Sequence, residues 1–405
     1  MKFNRWTLGL AAAGVVSLAS ATQAEEAKQN VMTALSSTTI SGYVDTSAIW
    51  KFGTGNGLVG RSFDGTAKQD GFNLNVVKLS IEKPLEEGDW AAGYKADLLF
   101  GPDAIGYNTS AGAAAGDFGI KQAYVELRAP IGNGLDIKMG VFDTIIGYEV
   151  YDSVNNPNYS RSYGYFIEPT EHTGLLLSYK WADWLNTSVG VANTWNAGIN
   201  SRAAGRSESE KTYMASVTLT APDSWGALKG SSLYLGAING INNANTTSDT
   251  TSLYAGVSVP TPLEHLSLGA SADYRMTEQK GKVSGGNAYL GGNDSTYANA
   301  YALYLSYQVT EKLKISTRGE YASGTDGTWY FDGFGASPNN NPHNELFGAT
   351  VTVDYSLWAN VVTRAEVRWD SALAGGDNNS AKPFGLGVNP DKNALSLALN
   401  VIYKF

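Results

Sequence analysis

The chain has 405 residues, no cysteine, and charged side chains at only 17% of its positions. Soluble domains carry about 25% charged residues on average, and without cysteine the fold cannot be held by disulfides. The 46 glycines and 23 tyrosines favour many strands joined by tight turns over a helical protein. With 38 acidic against 29 basic side chains, the formal charge of −9 argues against nucleic acid as a partner.

The first 24 residues have the features of a secretory signal peptide. Lys2 and Arg5 give a basic start, residues 8–18 form an apolar run, and small residues suit cleavage after Ala21 or Ala24. The run is shorter than the roughly 18 apolar residues that a membrane-spanning helix needs. Cleavage would lower the 29 basic side chains to 27 against 38 acidic ones, a formal charge of −11.

Apolar and polar side chains alternate from residue 38 onward, after an expected periplasmic N-terminal arm at 25–37. In the first segment Val44, Ala48 and Trp50 share one face, and polar side chains occupy the other. A strand that crosses a bilayer at a tilt needs about 9–11 residues, and this segment is long enough. The sixteen predicted strands are 38–52, 72–83, 90–100, 120–129, 134–142, 173–180, 184–195, 211–221, 231–239, 251–259, 266–276, 296–309, 313–322, 345–355, 358–369 and 393–405.

The connections between these strands alternate between short and long. Those after even-numbered strands are short, and four of them open with Pro84, Pro130, Pro222 or Pro260, which cannot donate to a strand ladder. Those after odd-numbered strands are mostly long and rich in Gly, Asn and Ser. Short periplasmic turns and long external loops are typical of outer-membrane barrels. The sequence therefore predicts an all-β transmembrane antiparallel barrel over residues 38–405.

The last predicted strand ends with Tyr403 and Phe405, both on its apolar face. In this the chain resembles outer-membrane barrel proteins as a class, whose closing strand ends in the same way. The resemblance implies that Tyr403 and Phe405 act as the signal for the barrel-assembly machinery. An even number of strands closes the sheet and leaves no edge in the lipid, and sixteen strands enclose an aqueous lumen that side chains cannot fill.

A long polar segment joins the fifth and sixth predicted strands, and its charged residues are Asp143, Glu149, Asp152, Arg161, Glu168 and Glu171. Its residue pattern resembles the putative beta-barrel porin-2 family at positions 140–144, 147–149, 156–163, 168–169 and 172–174. Residues 40–46, at the start of the first strand, resemble the same family. In sixteen-stranded general porins the third external loop folds into the lumen. By this likeness residues 143–171 are expected to form the pore constriction.

The resemblance implies an outer-membrane porin of a Gram-negative-type bacterium, which lets small hydrophilic solutes and ions diffuse passively through a water-filled channel. Its expected partners are outer-membrane lipid and lipopolysaccharide, the barrel-assembly machinery and small polar solutes, with no cofactor. General porins are homotrimers, and an oligomer contact is consistent with small outward residues at Ala215, Ala221, Ser231 and Ala237.

Charged side chains at predicted lumen positions balance at nine of each sign, so geometry and the loop should govern selectivity. The basic residues are Lys78, Lys95, Arg128, Lys138, Arg275, Lys314, Arg318, Arg364 and Arg368. The acids are Asp45, Glu82, Asp97, Glu126, Asp136, Asp273, Glu320, Asp354 and Glu366. One hypothesis is a transverse field between the acidic loop and a basic arc at Lys78, Lys95, Arg128, Arg364 and Arg368. The alternative is local pairing of those cations with wall acids.

Three other functions remain open from the sequence. A hydrolase would need a catalytic set, but His172, His265 and His343 lie apart and no Ser–His–acid group suggests itself, so no enzyme is expected. The Asp-containing pieces 292–294 and 324–327 lack a full set of Ca²⁺ ligands, so no metal site is predicted. A non-conducting adhesin or receptor barrel is the main alternative, because long loops rich in Asn and Gly suit recognition as well as shielding. A substrate-specific oligosaccharide channel is a less favoured alternative.

Overall fold

The computed structural model describes residues 37–53, 58–104, 107, 117–196, 198–203, 209–241, 248–263, 265–278, 295–325, 328–330, 343–373, 383–384 and 391–405. The predicted signal peptide and nearly all of the N-terminal arm therefore lie outside the described residues. So do the predicted loop pieces at 292–294 and 326–327.

The chain forms sixteen antiparallel strands, which confirms the predicted number and fold class. They are β1 (Thr39–Phe52), β2 (Gly71–Lys83), β3 (Ala92–Phe100), β4 (Phe118–Ala129), β5 (Leu135–Asp143), β6 (Glu171–Ala182), β7 (Leu185–Ala192), β8 (Thr212–Thr220), β9 (Ser232–Ile241), β10 (Asp249–Pro260), β11 (Leu266–Glu278), β12 (Thr296–Gln308), β13 (Leu313–Thr325), β14 (His343–Trp358), β15 (Val361–Ala372) and β16 (Asn393–Lys404). The predicted ends agree with these within three residues.

Each strand pairs with its sequence neighbours, and β1 pairs with β16 to close the barrel. At this seam Tyr43 lies opposite Lys404. The terminal residue extends the pairing, because Phe405 and Gly42 exchange two backbone hydrogen bonds of 2.9 Å. Closure gives every strand a partner on both sides, as a hydrocarbon environment demands.

The outer surface of the barrel is apolar. Outward residues such as Val351, Val367 and Leu399 are all more than 40% exposed, which is the reverse of a soluble protein. Exposed tryptophans mark the end with the short turns, at Trp90, Trp181, Trp184, Trp225 and Trp358, and other aromatics mark the long-loop end, at Phe52, Phe100, Phe118, Tyr213 and Trp369. Two aromatic girdles of this kind sit where lipid headgroups meet water. Among the described helices, none is long and apolar enough to cross a membrane.

The inner surface divides into two arcs of different chemistry. Strands β13 to β16 and β1 to β5 carry almost all the inward charges of the described residues, which are arranged in ion pairs. Strands β7 to β10 present only uncharged side chains inward, mostly Ser, Thr, Gly and Tyr. We call these the charged arc and the neutral arc. The segment between β5 and β6 lies in the space that they enclose.

Candidate pore constriction

Residues 144–170, which we call the inner loop, join β5 to β6 and contain one short helix, α1 (Tyr163–Ile167). Although β5 and β6 are neighbours, the loop reaches strands on the far side of the barrel. The backbone N–H of Tyr163 donates to Glu320 on β13 at 2.7 Å, and its hydroxyl donates to Asp370 on β15 at 2.7 Å. The inner loop therefore crosses the interior of the barrel.

Glu149 fixes the first half of the inner loop to β13. Its Oε1 accepts a hydrogen bond from Arg318 at 2.7 Å, and both side chains are fully buried. Its Oε2 accepts from the backbone N–H of Ser162 at 2.7 Å, and the Tyr304 hydroxyl donates to Oε1 at 3.2 Å. Arg318 also pairs with Glu320 at 2.7 Å. Because both charges have several partners, their burial does not leave an uncompensated ion.

Asp152 fixes the middle of the loop to the seam of the barrel. It accepts hydrogen bonds from Lys78 on β2 at 2.9 Å and from the Tyr43 hydroxyl on β1 at 2.7 Å. Burial alone would raise the pKa of Asp152, but the ammonium of Lys78, then that of Lys121, and these hydrogen bonds bring the pKa down to about 2. Asp152 is therefore ionised at neutral pH and holds a permanent ion pair.

The charged residues of β15 bind the backbone of the inner loop. Arg364 donates to the carbonyl of Ser153 at 2.6 Å, and Arg368 donates to the carbonyl of Arg161 at 2.6 Å. Between them, Glu366 accepts from the backbone N–H of Tyr159 at 2.6 Å. Polar backbone groups that would otherwise be buried without partners are thus satisfied by the wall.

Apolar side chains of the inner loop reach into four separate buried clusters. Ile146 packs with residues of β5 to β10, and Tyr151 packs with Ala104 and Tyr107, which follow β3. Tyr159 contacts β1 and β16, while Tyr163 and Ile167 pack on small alanines of β12 and β13. These side chains bury apolar area that an outward-pointing loop would leave in water. The loop is therefore held by packing as well as by charge.

Arg161, which the sequence groups with the constriction charges, lies inside the loop itself. Its guanidinium donates to the carbonyls of Val150 at 3.1 Å, Tyr159 at 2.7 Å and Tyr151. It also lies over the ring of Phe63, 5.3 Å from the centroid. The structure thus makes Arg161 a cross-link of the loop backbone, because a buried guanidinium with five donors can satisfy several carbonyls at once.

The two ends of the inner loop meet at Gly147 and Glu168. Gly147 has a φ of +113°, which only glycine adopts without strain, and a Cβ there would collide with the Glu168 carboxyl group. Burial raises the pKa of Glu168 well above its ordinary value, and the carboxyl of Asp273 on β11 raises it further. Glu168 therefore favours the protonated form.

A cavity of about 1280 Å³ lies between the inner loop and the neutral arc. At the long-loop end it reaches Tyr107 and Lys121, and at the other end it reaches the turn residues Glu87, Asp183 and Gly230. It therefore extends over most of the height of the barrel. Its wall on the side of the neutral arc is formed by Asn186, Ser188, Ser216, Thr218, Thr220, Ser232 and Tyr234.

Only half of the proposed constriction charges border this cavity. Asp143, Glu149 and Glu168 line it, and Asp143 is also paired with Lys121. Asp152 and Arg161 face the charged arc or the loop, and Glu171 is buried at the start of β6. The six predicted charges therefore differ in position: Asp143, Glu149 and Glu168 border the cavity, although Glu149 is also bound to Arg318. Asp152 and Arg161 hold the loop.

The predicted basic wall residues are engaged in short-range contacts. Lys78 lies 3.0 Å from Asp97, Lys95 lies 3.3 Å from Glu82, and Arg128 lies 2.6 Å from Asp136. Arg318, Arg364 and Arg368 are covered by the inner loop and are at most 4% exposed. The geometry matches the alternative of local pairing, because the acidic loop lies directly on the basic arc and no open passage separates them.

Several residues that shape this interior could not be identified from the sequence. Arg61, in the first external loop, reaches inward and pairs with Asp370, although the two are 309 positions apart. Lys121 falls on the inner face only because a register shift interrupts the pairing of β3 and β4 at Asp97/Leu98. The hydroxyl-rich neutral arc could have been found by listing the uncharged inward positions of the predicted strands as well as the charged ones.

Three solved structures with a similar fold are distant from this chain in sequence. The outer membrane channel DcaP of Acinetobacter baumannii superposes with a TM-score of 0.57 at 13% identity, over 91% of this chain and 97% of that one. The trimer form of OmpT from Vibrio cholerae gives 0.56 at 11% identity, over 91% and 99%. An anion-selective porin from Comamonas acidovorans gives 0.54 at 14% identity, over 91% and 99%. At these identities the likeness concerns the fold alone.

The curated proteins contain no sequence that matches this chain. A family model does match it, over residues 37–405, which is the whole barrel together with the inner loop. That family consists of porin-like outer-membrane barrels, in agreement with the closed sheet, the apolar outer surface and the two aromatic girdles. The chain belongs to the putative beta-barrel porin-2, OmpL-like family.

Proposed function

We propose that this barrel is a water-filled channel for passive diffusion of small hydrophilic solutes and ions across the outer membrane. The observation that carries the proposal is the cavity of about 1280 Å³ that extends from Lys121 to the turns at Asp183 and Gly230. The inner loop, together with its flanking residues 143–171, is the constriction. It narrows the lumen from the side of the charged arc and leaves the passage along the neutral arc.

Reconstitution in a planar bilayer tests this function. Purified full-length protein should insert with discrete, ohmic current steps in KCl, and it should make liposomes permeable to small sugars but not to large dextrans. A barrel that inserts and gives no ion steps would contradict the channel function and would favour a receptor or adhesin barrel. Absence of hydrolysis on lipid and peptide substrates is expected in the same preparation.

The passage should prefer cations weakly. Of the acids on the cavity wall, Glu149 is paired with Arg318 and Glu168 favours its protonated form. The remaining acids are Glu87, Asp143 and Asp183, against the lysines Lys121 and Lys180. Charges that face a narrow aqueous passage set its ion preference. Reversal potentials in a KCl gradient should show K⁺ favoured over Cl⁻, and Asp143→Asn should reduce the preference. Glu311→Gln, at a solvent-exposed position in the short turn between β12 and β13, is the control. A preference for Cl⁻ in the unaltered protein would contradict this assignment of the passage.

The membrane arrangement belongs to the same proposal. Residues 1–24 direct export, the short turns face the periplasm, and Tyr403 and Phe405 are read by the barrel-assembly machinery before the barrel meets lipid and lipopolysaccharide. A homotrimer is supported by analogy with porins and by the small outward side chains Ala215 and Ala237. Cross-linking in outer-membrane vesicles tests the assembly, and a purely monomeric pattern would count against it.

A further inference from the structure

The neutral arc gives one side of the cavity an unusual chemistry. Within the cavity, β7 contributes Asn186 and Ser188, β8 contributes Ser216, Thr218 and Thr220, and β9 contributes Ser232. Every one of these side chains is polar and uncharged. A hydroxyl group can both donate and accept a hydrogen bond, and an amide offers both donors and acceptors. This wall can therefore bind polar groups of either kind without selecting a charge.

The strand register arranges these groups in rows across the wall. Ser188 lies between Ser178 and Ser216, and its hydroxyl is 2.8 Å from that of Ser178. In the next row Thr218 lies between Asn186 and Tyr234. Neighbouring strands are about 5 Å apart, a spacing comparable with that of hydroxyl groups across a sugar ring. The rows also continue along the direction of passage, from Ser216 through Thr218 to Thr220.

The remainder of the cavity does not offer a binding site for anions. Its two lysines are already paired, Lys121 with Asp143 and Lys180 with Asp183 at 2.7 Å. Arg318, Arg364 and Arg368 lie beneath the inner loop. None of the arginines of the charged arc borders the cavity among the described residues. An anion would therefore meet excess carboxylate and no unpaired cation, whereas an uncharged solute would lose no charge hydration.

We propose that the Ser, Thr and Asn side chains of β7 to β9 form a binding track for uncharged polyhydroxylated solutes, the class of sugars and polyols. The track rests on the proposed channel function and specifies its solute. Each wall hydroxyl replaces a water hydrogen bond of the solute with a protein hydrogen bond, which costs little energy at each step and keeps the solute mobile. As the solute moves along the wall, it exchanges hydrogen bonds with one row of side chains for hydrogen bonds with the next.

Sugar-dependent current block in planar bilayers tests the track directly. D-glucose added to the unaltered channel should reduce the KCl current saturably, beyond the linear effect of viscosity. The triple variant Ser188→Ala/Ser216→Ala/Thr218→Val removes three hydroxyls with almost no change of volume. We expect its glucose dissociation constant to rise about tenfold, since three modest hydrogen bonds are lost. The KCl current of the variant, recorded in the same experiment, shows whether the barrel still inserts and conducts. Gluconate, an anion of similar size, should give no saturable block in either protein.

A control variant removes the same chemistry from another part of the wall. Ser306 and Ser316 form a hydroxyl pair at 3.0 Å on β12 and β13, and neither lines the cavity. Ser306→Ala/Ser316→Ala should leave glucose block unaltered. Saturable glucose binding that survives the triple variant, or no saturable block in a channel that conducts KCl, would overturn the track and leave the channel function standing. A barrel without ion steps would overturn both.

Discussion

Two carboxyl groups of the inner loop show how the surroundings of an acidic residue determine its pKa. Asp152 faces the ammonium of Lys78 at 2.9 Å, and its pKa falls to about 2. Glu168 lies buried beside Asp273, another acid, and its pKa rises well above its ordinary value. Opposite and like charges in a buried place shift a pKa in opposite directions. Nothing in the sequence distinguishes these two acids, whereas the structure pairs Asp152 with a cation and shifts Glu168 towards its protonated form.

The anchor at Asp152 should be sensitive to acid. Its folded pKa lies below the unfolded value of about 3.9, so its contribution is fully present above that value and is lost as the pH falls towards 2. The contribution is on the order of 2 kcal/mol. We expect Asp152→Asn to lower the free energy of unfolding in detergent by that amount at pH 7, and the difference from the unaltered protein to vanish near pH 2.

The matched control is Asp183→Asn, which removes an exposed acid from a turn. It should leave the free energy of unfolding almost unchanged at every pH, because exposed ion pairs contribute little. A difference between Asp152→Asn and the unaltered protein that stays constant from pH 7 to pH 2 would contradict the anchoring role of the carboxylate.

At the level of elements, the strands were predictable and the contacts of the inner loop were not. A strand is a local pattern, and sixteen repeats of one-sided alternation, with turns of alternating length, specify a barrel. The loop's charges were also visible in the sequence. Their partners depend on which strands face each other across the lumen, and Tyr163 and Asp370 are 207 positions apart. A local sequence pattern cannot indicate contacts between residues so far apart in the chain. For this reason Arg161 was predicted among the charges of the pore constriction.

The ion pair between Glu149 and Arg318 should control whether the inner loop stays docked. Removing one partner of a buried pair costs about 3–5 kcal/mol. We therefore expect Arg318→Met to raise the open-channel conductance and current noise, because the loop leaves the wall for part of the time. The double variant Glu149→Gln/Arg318→Met should show less current noise than Arg318→Met alone, because no uncompensated carboxylate is then buried.

The pair between Lys95 and Glu82, 3.3 Å apart on neighbouring strands, provides the comparison. Lys95→Met removes a wall cation of the charged arc that does not contact the inner loop in the described residues. Its current noise should equal that of the unaltered protein. Equal noise in Arg318→Met and Lys95→Met would show that the loop does not depend on this anchor.

For the whole molecule, closure depends on the seam between the first and last strands. Phe405 lies against Gly42, where an added Cβ would be 2.8 Å from the ring atom Cζ and would collide with the backbone oxygen of Lys78. Glycine is therefore needed at position 42, first because of the Lys78 backbone on β2 and second because of the Phe405 ring. The terminal Phe405 has a packing role in the closed barrel in addition to any role in assembly.

Gly42→Val should therefore impair closure. Overpacking costs about 1–3 kcal/mol even in a relaxed core, and here the obstacle includes backbone. We expect less of the folded, heat-modifiable form on gels and a lower melting temperature. Gly319→Val is the control, since a Cβ at this position on β13 would meet nothing within 4 Å. Equal folded yields for the two variants would contradict the requirement for glycine at the seam.

The inner loop also bridges parts of the chain that are made at very different times. Ser153 donates to Asp45 on β1, 108 positions earlier, and accepts from Arg364 on β15, 211 positions later. These contacts exist together only when the first and last strands have met. A half-built barrel therefore offers only part of the docking surface of the inner loop. The inner loop can therefore dock fully, and narrow the lumen, only after the barrel has closed.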